Sequence, residues 1–254
     1  MNEVFFSHWG VGQWALAAFA AYLIGLSKSG WGGLGMLTVV IMASLMKGQE
    51  RESTGVVLPL LIAGDLMAVR AYRGQANWPQ VLRILPPAAL GVVLGYFILR
   101  GMSSDLLKPV IGWIVLALTL LQWLRQRCPQ RFAGVPESRG FAWAMGTGAG
   151  VTTMLANAAG PMMGLYFLAI GLPKLQLVGT AAWYFLTVNL FKVPFSAQLG
   201  LIGGGSLLFN LCLLPAVAAG ILSGRAILRR VNQTFFERFL LLTAALAALH
   251  LILF

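Results

Sequence analysis

Lys28 stands between Ser27 and Ser29 in Gly25-Leu-Ser-Lys-Ser-Gly-Trp-Gly-Gly-Leu-Gly35, a glycine-rich stretch separating two apolar segments that are each short for a bilayer. A lysine near the middle of a membrane helix costs roughly 2.5–3.5 kcal/mol on insertion scales, and ionisable residues at that depth usually face a cavity or a substrate path. A cation flanked by two hydroxyls suits a small oxyanion. The backbone N–H groups of Gly30, Gly32 and Gly33, at the start of a return helix, would add donors at a positive helix end. Trp31 in the same turn could wall such a cavity. Two other chemistries fit the same residues. Lys28 could snorkel from a turn that reaches the cytoplasmic surface. Alternatively, Ser27 and Lys28 could form the Ser-Lys dyad of an intramembrane hydrolase, which needs the lysine buried and neutral beside its serine. Nothing else in the chain supports hydrolysis.

A second polar set is Thr147, Thr152, Thr153 and Asn157, just before Gly160-Pro161. Hydroxyls and an amide bind an anion without carrying charge, and they equally well bond one helix to another inside a membrane. Asp65, Asn189 and Lys192 lie within long apolar runs. Asp65 could carry a coupling proton, or pair structurally with a cation such as Lys28 or Arg70. Lys192, one turn after Asn189, faces either the same cavity or the outer interface. Cys128 and Cys212 make no framework or metal-ligand spacing, and His8 and His250 sit near opposite chain ends, so no cofactor or metal is expected.

These groups need an apolar scaffold, and the composition supplies one. The 254 residues are 59% hydrophobic and 10% charged, with a mean hydropathy of +0.82. Soluble domains run nearer ~45–50% apolar and ~25% charged, so this composition belongs to an all-α polytopic membrane protein. The short alternating strands of a membrane barrel are missing. The net charge of +11 sits in the loops between apolar runs, where the positive-inside rule explains it better than nucleic-acid binding does. The first ten residues carry Glu3 and no Lys or Arg. They lack the basic region of a cleavable signal peptide.

Apolar segments are expected at 11–27, 34–46, 54–71, 82–99 and 105–124, then at 140–156, 158–171, 175–193, 203–223 and 234–253. Ten helices therefore fall into two sets of five, residues 1–124 and 140–254, around a basic polar linker at 125–139. Placing that linker in the cytoplasm puts nearly every basic loop inside and both termini on the periplasmic side. The halves also echo one another. Pro86-x4-Gly91-x3-Gly95 recurs as Pro215-x4-Gly220-x3-Gly224, and Asp65 falls at the position of Asn189. An odd number of crossings per half makes the two copies inverted, the plan of many secondary transporters. Segments 34–46 and 158–171 are too short to span comfortably, and such short or Gly/Pro-interrupted segments at matching places point to a binding site. The small-xxx-small pairs Gly91/Gly95, Gly160/Gly164 and Gly220/Gly224 are expected to let helices approach closely.

In these features the chain resembles the sulfite/organosulfonate exporters, the TauE/SafE family. The resemblance rests on Gly25–Gly35, on Gly64-Asp-Leu-Met-Ala-Val-Arg-Ala-Tyr-Arg-Gly-Gln-Ala-Asn-Trp78, and on the two Gly-x3-Gly helices within a duplicated plan. It implies a bacterial inner-membrane protein that moves small sulfur-containing anions such as sulfite or organosulfonates, usually outward. The expected function is a secondary transporter working by alternating access between the bilayer's two sides, proton-coupled if Asp65 titrates. A passive small-anion channel is the alternative. The hydrolase is the third reading, and no enzymatic activity is expected. The partners are the anion and the lipid bilayer, not nucleic acid. The expected substrate-binding set is Ser27, Lys28, Ser29, Gly30, Trp31, Gly32, Gly33, Thr152, Thr153, Asn157, Gly160 and Asn189, with Asp65 and Lys192 in coupling or gating.

Overall fold

The computed structural model describes residues 9–32, 34–46, 50–101, 138–202 and 204–253, together with Trp113, Leu116, Leu120 and Trp123. Among these the chain is all-helical. Its helices are α1 (Val11–Lys28), α2 (Leu34–Leu45), α3 (Glu50–Ala71), α4 (Trp78–Gly101), α5 (Arg139–Ala156), α6 (Ala159–Ala169), α7 (Lys174–Gln198), α8 (Gly204–Arg230) and α9 (Gln233–Leu253). Nine of the ten expected segments are thus present as helices. The tenth, 105–124, lies outside the described residues except at four positions, all helical. Most of the linker, through Pro136 and Glu137, also lies outside them, as does Gly33.

Local chemistry sets the boundaries. Gly10 opens α1 with its N–H donated to the Gln13 side chain at 2.9 Å. Ser138 opens α5 by accepting from the Phe141 N–H at 3.1 Å, which satisfies a donor that a helix start leaves unpaired. The helices Ser53–Ala71, Trp78–Gly101 and Ser206–Arg230 are long and apolar enough to cross a membrane. By contrast α2, with 12 residues, and α6, with 11, rise only about 17–18 Å at ~1.5 Å per residue, well short of a ~30 Å hydrocarbon core.

Glycines decide how the helices meet. A Cβ on Gly25 of α1 would lie 2.1 Å from the Val217 carbonyl oxygen of α8, and one on Gly220 would lie 2.1 Å from that of Tyr22. The same contact is made a second time. A Cβ on Gly150 of α5 would lie 2.1 Å from the Ala88 oxygen of α4, and one on Gly91 would lie 2.1 Å from that of Thr147. Gly91 and Gly220 hold the same place in the doubled Pro-x4-Gly-x3-Gly pattern, with Ala88 and Val217 three residues before them. Thus α1 packs on α8 and α5 packs on α4 through matching glycine contacts. Two apolar cores follow. One gathers α4, α5, α6 and α7 around Met145, Met162, Tyr166 and Tyr184. The other gathers α1, α3 and α8 around Ile24, Val56 and Val217. Where α3 and α7 cross between them, the buried polar residues Asp65, Asn189 and Lys192 collect.

Candidate functional site

Two helix breaks face each other here. The first closes α1 at Lys28 and passes through Gly30, whose φ of 113° lies in the left-handed region that favours glycine. The second closes α5 at Asn157, with φ of 53°, its N–H donated to the Thr153 carbonyl and the Ala158 N–H to the Thr152 carbonyl; α6 starts immediately after. Their backbones nearly touch, since a Cβ on Gly160 would stand 3.1 Å from the Gly32 carbonyl oxygen. Between the breaks lies a cavity of about 80 Å³, several times the roughly 10–15 Å³ that one water occupies on this measure. It is lined by Ser27, Lys28, Gly30, Gly32 and Gly35 from one side and by Thr153, Asn157, Gly160 and Pro161 from the other. Phe185 and Asn189 of α7 form part of its wall. The starts of α2 and α6 both abut this space, and helix starts carry partial positive charge; at α2 the N–H groups of Leu34 and Gly35 are donated to the Trp31 and Gly32 carbonyls.

The charged groups form a chain behind the breaks. Lys28 Nζ lies 2.7 Å from Asp65 Oδ1, an ion pair whose side chains are 9% and 0% exposed. The other carboxylate oxygen accepts from Asn189 Nδ2 at 2.7 Å. Lys28 also sits over the Phe185 ring, 4.7 Å from its centroid, a cation–π contact of the kind that burial strengthens. Lys192 donates to the Thr153 carbonyl at 2.9 Å and to Asn157 Oδ1. Asn157 Nδ2 in turn donates to the Thr54 carbonyl at 2.9 Å. The formal charges of Lys28, Asp65 and Lys192 leave one positive charge over.

The sulfite exporter TauE/SafE family model matches residues 17–251. The chain belongs to the TauE/SafE family. Neither the curated proteins nor the solved structures contain a match. Membership and the long apolar helices together make this a membrane protein of a transporter family described as sulfite exporters.

In this TauE/SafE chain the two breaks bring together Ser27, Lys28, Gly30, Gly32, Thr153, Asn157, Gly160 and Asn189, all of which line the cavity. Other expected residues turn away from it. Ser29 is fully buried, with its hydroxyl donated to Leu26 O at 2.7 Å and its carbonyl accepting from Tyr72 at 3.1 Å. Trp31 does not wall the cavity. Its Nε1 donates to Gly224 O at 3.1 Å, and its ring packs edge-on to Phe239 at 4.7 Å, so it ties the first break to α8 and α9. Thr152 bonds back to Ala149 O in its own helix. Asp65 and Lys192 stand one layer behind the lining.

Of the two cations expected for Asp65, Lys28 is the one it pairs with, while Arg70 is exposed. Two local expectations change. Lys192 does not reach the outer interface; it is 2% exposed, because the open carbonyls at the end of α5 give its ammonium partners indoors. Gly160 and Gly164 line the cavity instead of a tight helix crossing. The Ser27 hydroxyl donates to Gly32 O at 3.3 Å while the Lys28 ammonium goes to Asp65, so these two do not form a nucleophile–base pair. The residue that sequence reasoning missed is Phe185. It lies four before Asn189 and seven before Lys192, and that helical spacing on one face of α7 was the available signal.

Proposed function

We propose that this chain is a secondary transporter that exports small sulfur-containing anions, such as sulfite or organosulfonates, across the bacterial inner membrane. Two inverted five-segment repeats, residues 1–124 and 140–254, alternate access by moving against each other, joined by a cytoplasmic linker at 125–139 with both termini in the periplasm. The observation that carries the reading is the meeting of the two glycine breaks at one cavity, with Lys28 in its lining and Lys192 bonded to the second break behind it. Family membership supplies the substrate class. The duplicated glycine contacts, α1 on α8 and α5 on α4, support the repeat plan.

An anion entering the cavity meets the Ser27 hydroxyl, the edge of the Lys28 ammonium and the positive ends of α2 and α6. Helix starts and a partly neutralised lysine hold an oxyanion without demanding that an unpaired charge wait in the empty site. Asp65, touching Lys28, is placed to couple proton movement to release of the anion. Ser27, Lys28, Gly30, Gly32, Thr153, Asn157, Gly160 and Asn189 form the binding set, and Asp65 and Lys192 the coupling set.

Counterflow in reconstituted vesicles, across sulfite, thiosulfate, sulfoacetate, taurine and simple carboxylates, tests this. Wild type should exchange a subset of the sulfur anions, and Lys28→Gln should lose most of that exchange. Normal exchange of every panel member by Lys28→Gln removes the site assignment. Flux without counterflow makes the protein a channel. Flux indifferent both to proton gradients and to Asp65→Asn removes proton coupling.

A further inference from the structure

The cavity offers its occupant an acceptor as well as positive charge. Asn189 is 1% exposed and lines the cavity. Its amide orientation follows from its neighbour: a carboxylate oxygen accepts, so the group 2.7 Å from Asp65 Oδ2 is the Asn189 NH₂. That leaves Asn189 Oδ1 as the free end of the amide, and it has no partner among the described residues. Three other buried side-chain polar atoms share that condition, on Asp65, Tyr184 and Asn210, but none of those residues lines the cavity. The Asp65 oxygen concerned is already held in the ion pair with Lys28.

A buried acceptor without a donor is costly, and most such groups in folded proteins find one in a neighbour, a water or a ligand. Lys192, one turn on, is the nearest cation of the same helix, but it is committed to Thr153 and Asn157. A simple oxyanion cannot help, because every one of its oxygens is itself an acceptor and repels Oδ1. A molecule that carries both an anionic head and an O–H or N–H can place the head toward Lys28 and the helix starts while donating to Asn189.

Building on the anion-site reading above, we infer that the preferred cargo is a sulfur oxyanion that also bears a hydrogen-bond donor, and that Asn189 Oδ1 selects for that donor. Asn189 thus has two jobs. Its NH₂ positions Asp65 and its oxygen reads the cargo.

The test compares ethanesulfonate with 2-hydroxyethanesulfonate, which differ by one hydroxyl, by calorimetric titration of the full chain in lipid nanodiscs. The hydroxylated anion should bind roughly tenfold more tightly, the ratio expected when an unpaired buried acceptor gains a donor. Asn189→Leu should weaken both ligands and bring their ratio near one. Equal binding of the two by wild type overturns the inference while leaving the anion site standing, and means that water alone satisfies Oδ1. A tenfold preference that persists in Asn189→Leu overturns it too, since another residue then reads the hydroxyl. The wild-type comparison decides without the variant where the latter fails to fold. Absence of binding by either sulfonate, and by sulfite, removes the anion site itself.

Discussion

Breaking the Lys28–Asp65 pair from either side should destabilise the protein, and removing both partners should cost less than the two single changes added together. The two groups are 2.7 Å apart with Asp65 wholly buried. At an effective dielectric of about 20, that separation corresponds to an attraction of about 6 kcal/mol, before the loss of hydration on both groups is subtracted. Asp65→Leu leaves Lys28 charged in an apolar setting with only the Phe185 face for company; Lys28→Met leaves the carboxylate with Asn189 alone. Each single change should cost about 3–5 kcal/mol, the usual penalty for stranding one member of a buried pair. The double variant carries neither orphan charge, and the Asn189 amide loses its acceptor in both arms containing Asp65→Leu, so that loss cancels in the cycle. The double change should fall short of the sum of the singles by roughly 2–3 kcal/mol, within the range of coupling between touching residues. Equilibrium unfolding of the four proteins in mixed micelles measures it. Additive costs would refute the reasoning, because they would mean that the two charges do not compensate each other inside the protein.

Four further outcomes follow from the structure. Gly25→Ala and Gly150→Ala each drive a methyl group to 2.1 Å from a backbone oxygen of the facing helix; each should lower stability by about 1–3 kcal/mol in unfolding measurements, the scale of overpacking. Gly12→Ala, with nothing within 4 Å of the new carbon, should leave stability equal or slightly higher. Trp31→Phe keeps the ring contacts to Phe236 and Phe239 but deletes the Nε1 bond to Gly224 O; it should cost about 1 kcal/mol, and a loss several times larger would mean that the indole does more than tie α1 to α8. Asn157→Asp gives Lys192 a carboxylate partner and adds a negative charge to the cavity wall; anion exchange in vesicles should drop at least tenfold, from repulsion of like charges at close range.

Much of the scaffold was legible in the sequence because its signals are local. Apolar run length placed the helices to within a few residues, and the glycine-rich break at Gly25–Gly35 marked the end of α1 from composition alone. The doubled Pro-x4-Gly-x3-Gly pattern pointed to Gly91 and Gly220, but not to what they touch. Their partners are Gly150 and Gly25, which lie far away in sequence and become neighbours only when α4 meets α5 and α8 meets α1. The site was legible in the same uneven way. Residues on the breaks themselves, Lys28, Gly32, Asn157 and Gly160, reach the cavity because the chain has no helical neighbour there to cover them. Ser29 and Trp31 have the same local character, yet they face α8 and α9 instead. No composition signal distinguishes those directions, since they are set by which helix arrives on the far side.

The two breaks are alike in backbone and unlike in charge, and that difference bears on how the site works. The first break carries a lysine, and the second carries carbonyls and an amide that hold a lysine from α7. Asp65 bonds to the first lysine directly and to α7 through Asn189. The carboxylate is thus a hub between one helix of each half, α3 and α7, together with the end of α1. Any relative movement of the halves that slides α3 along α7 must stretch the Asp65–Asn189 bond, and any anion that attracts Lys28 competes with Asp65 for the same ammonium. Under the proposed transport reading, occupancy of the cavity and the contact between the halves would be linked through one side chain. The Lys28–Asp65 pair itself lies within residues 1–124, and the bond from Asn189 to the second carboxylate oxygen is what ties that pair to α7 in residues 140–254.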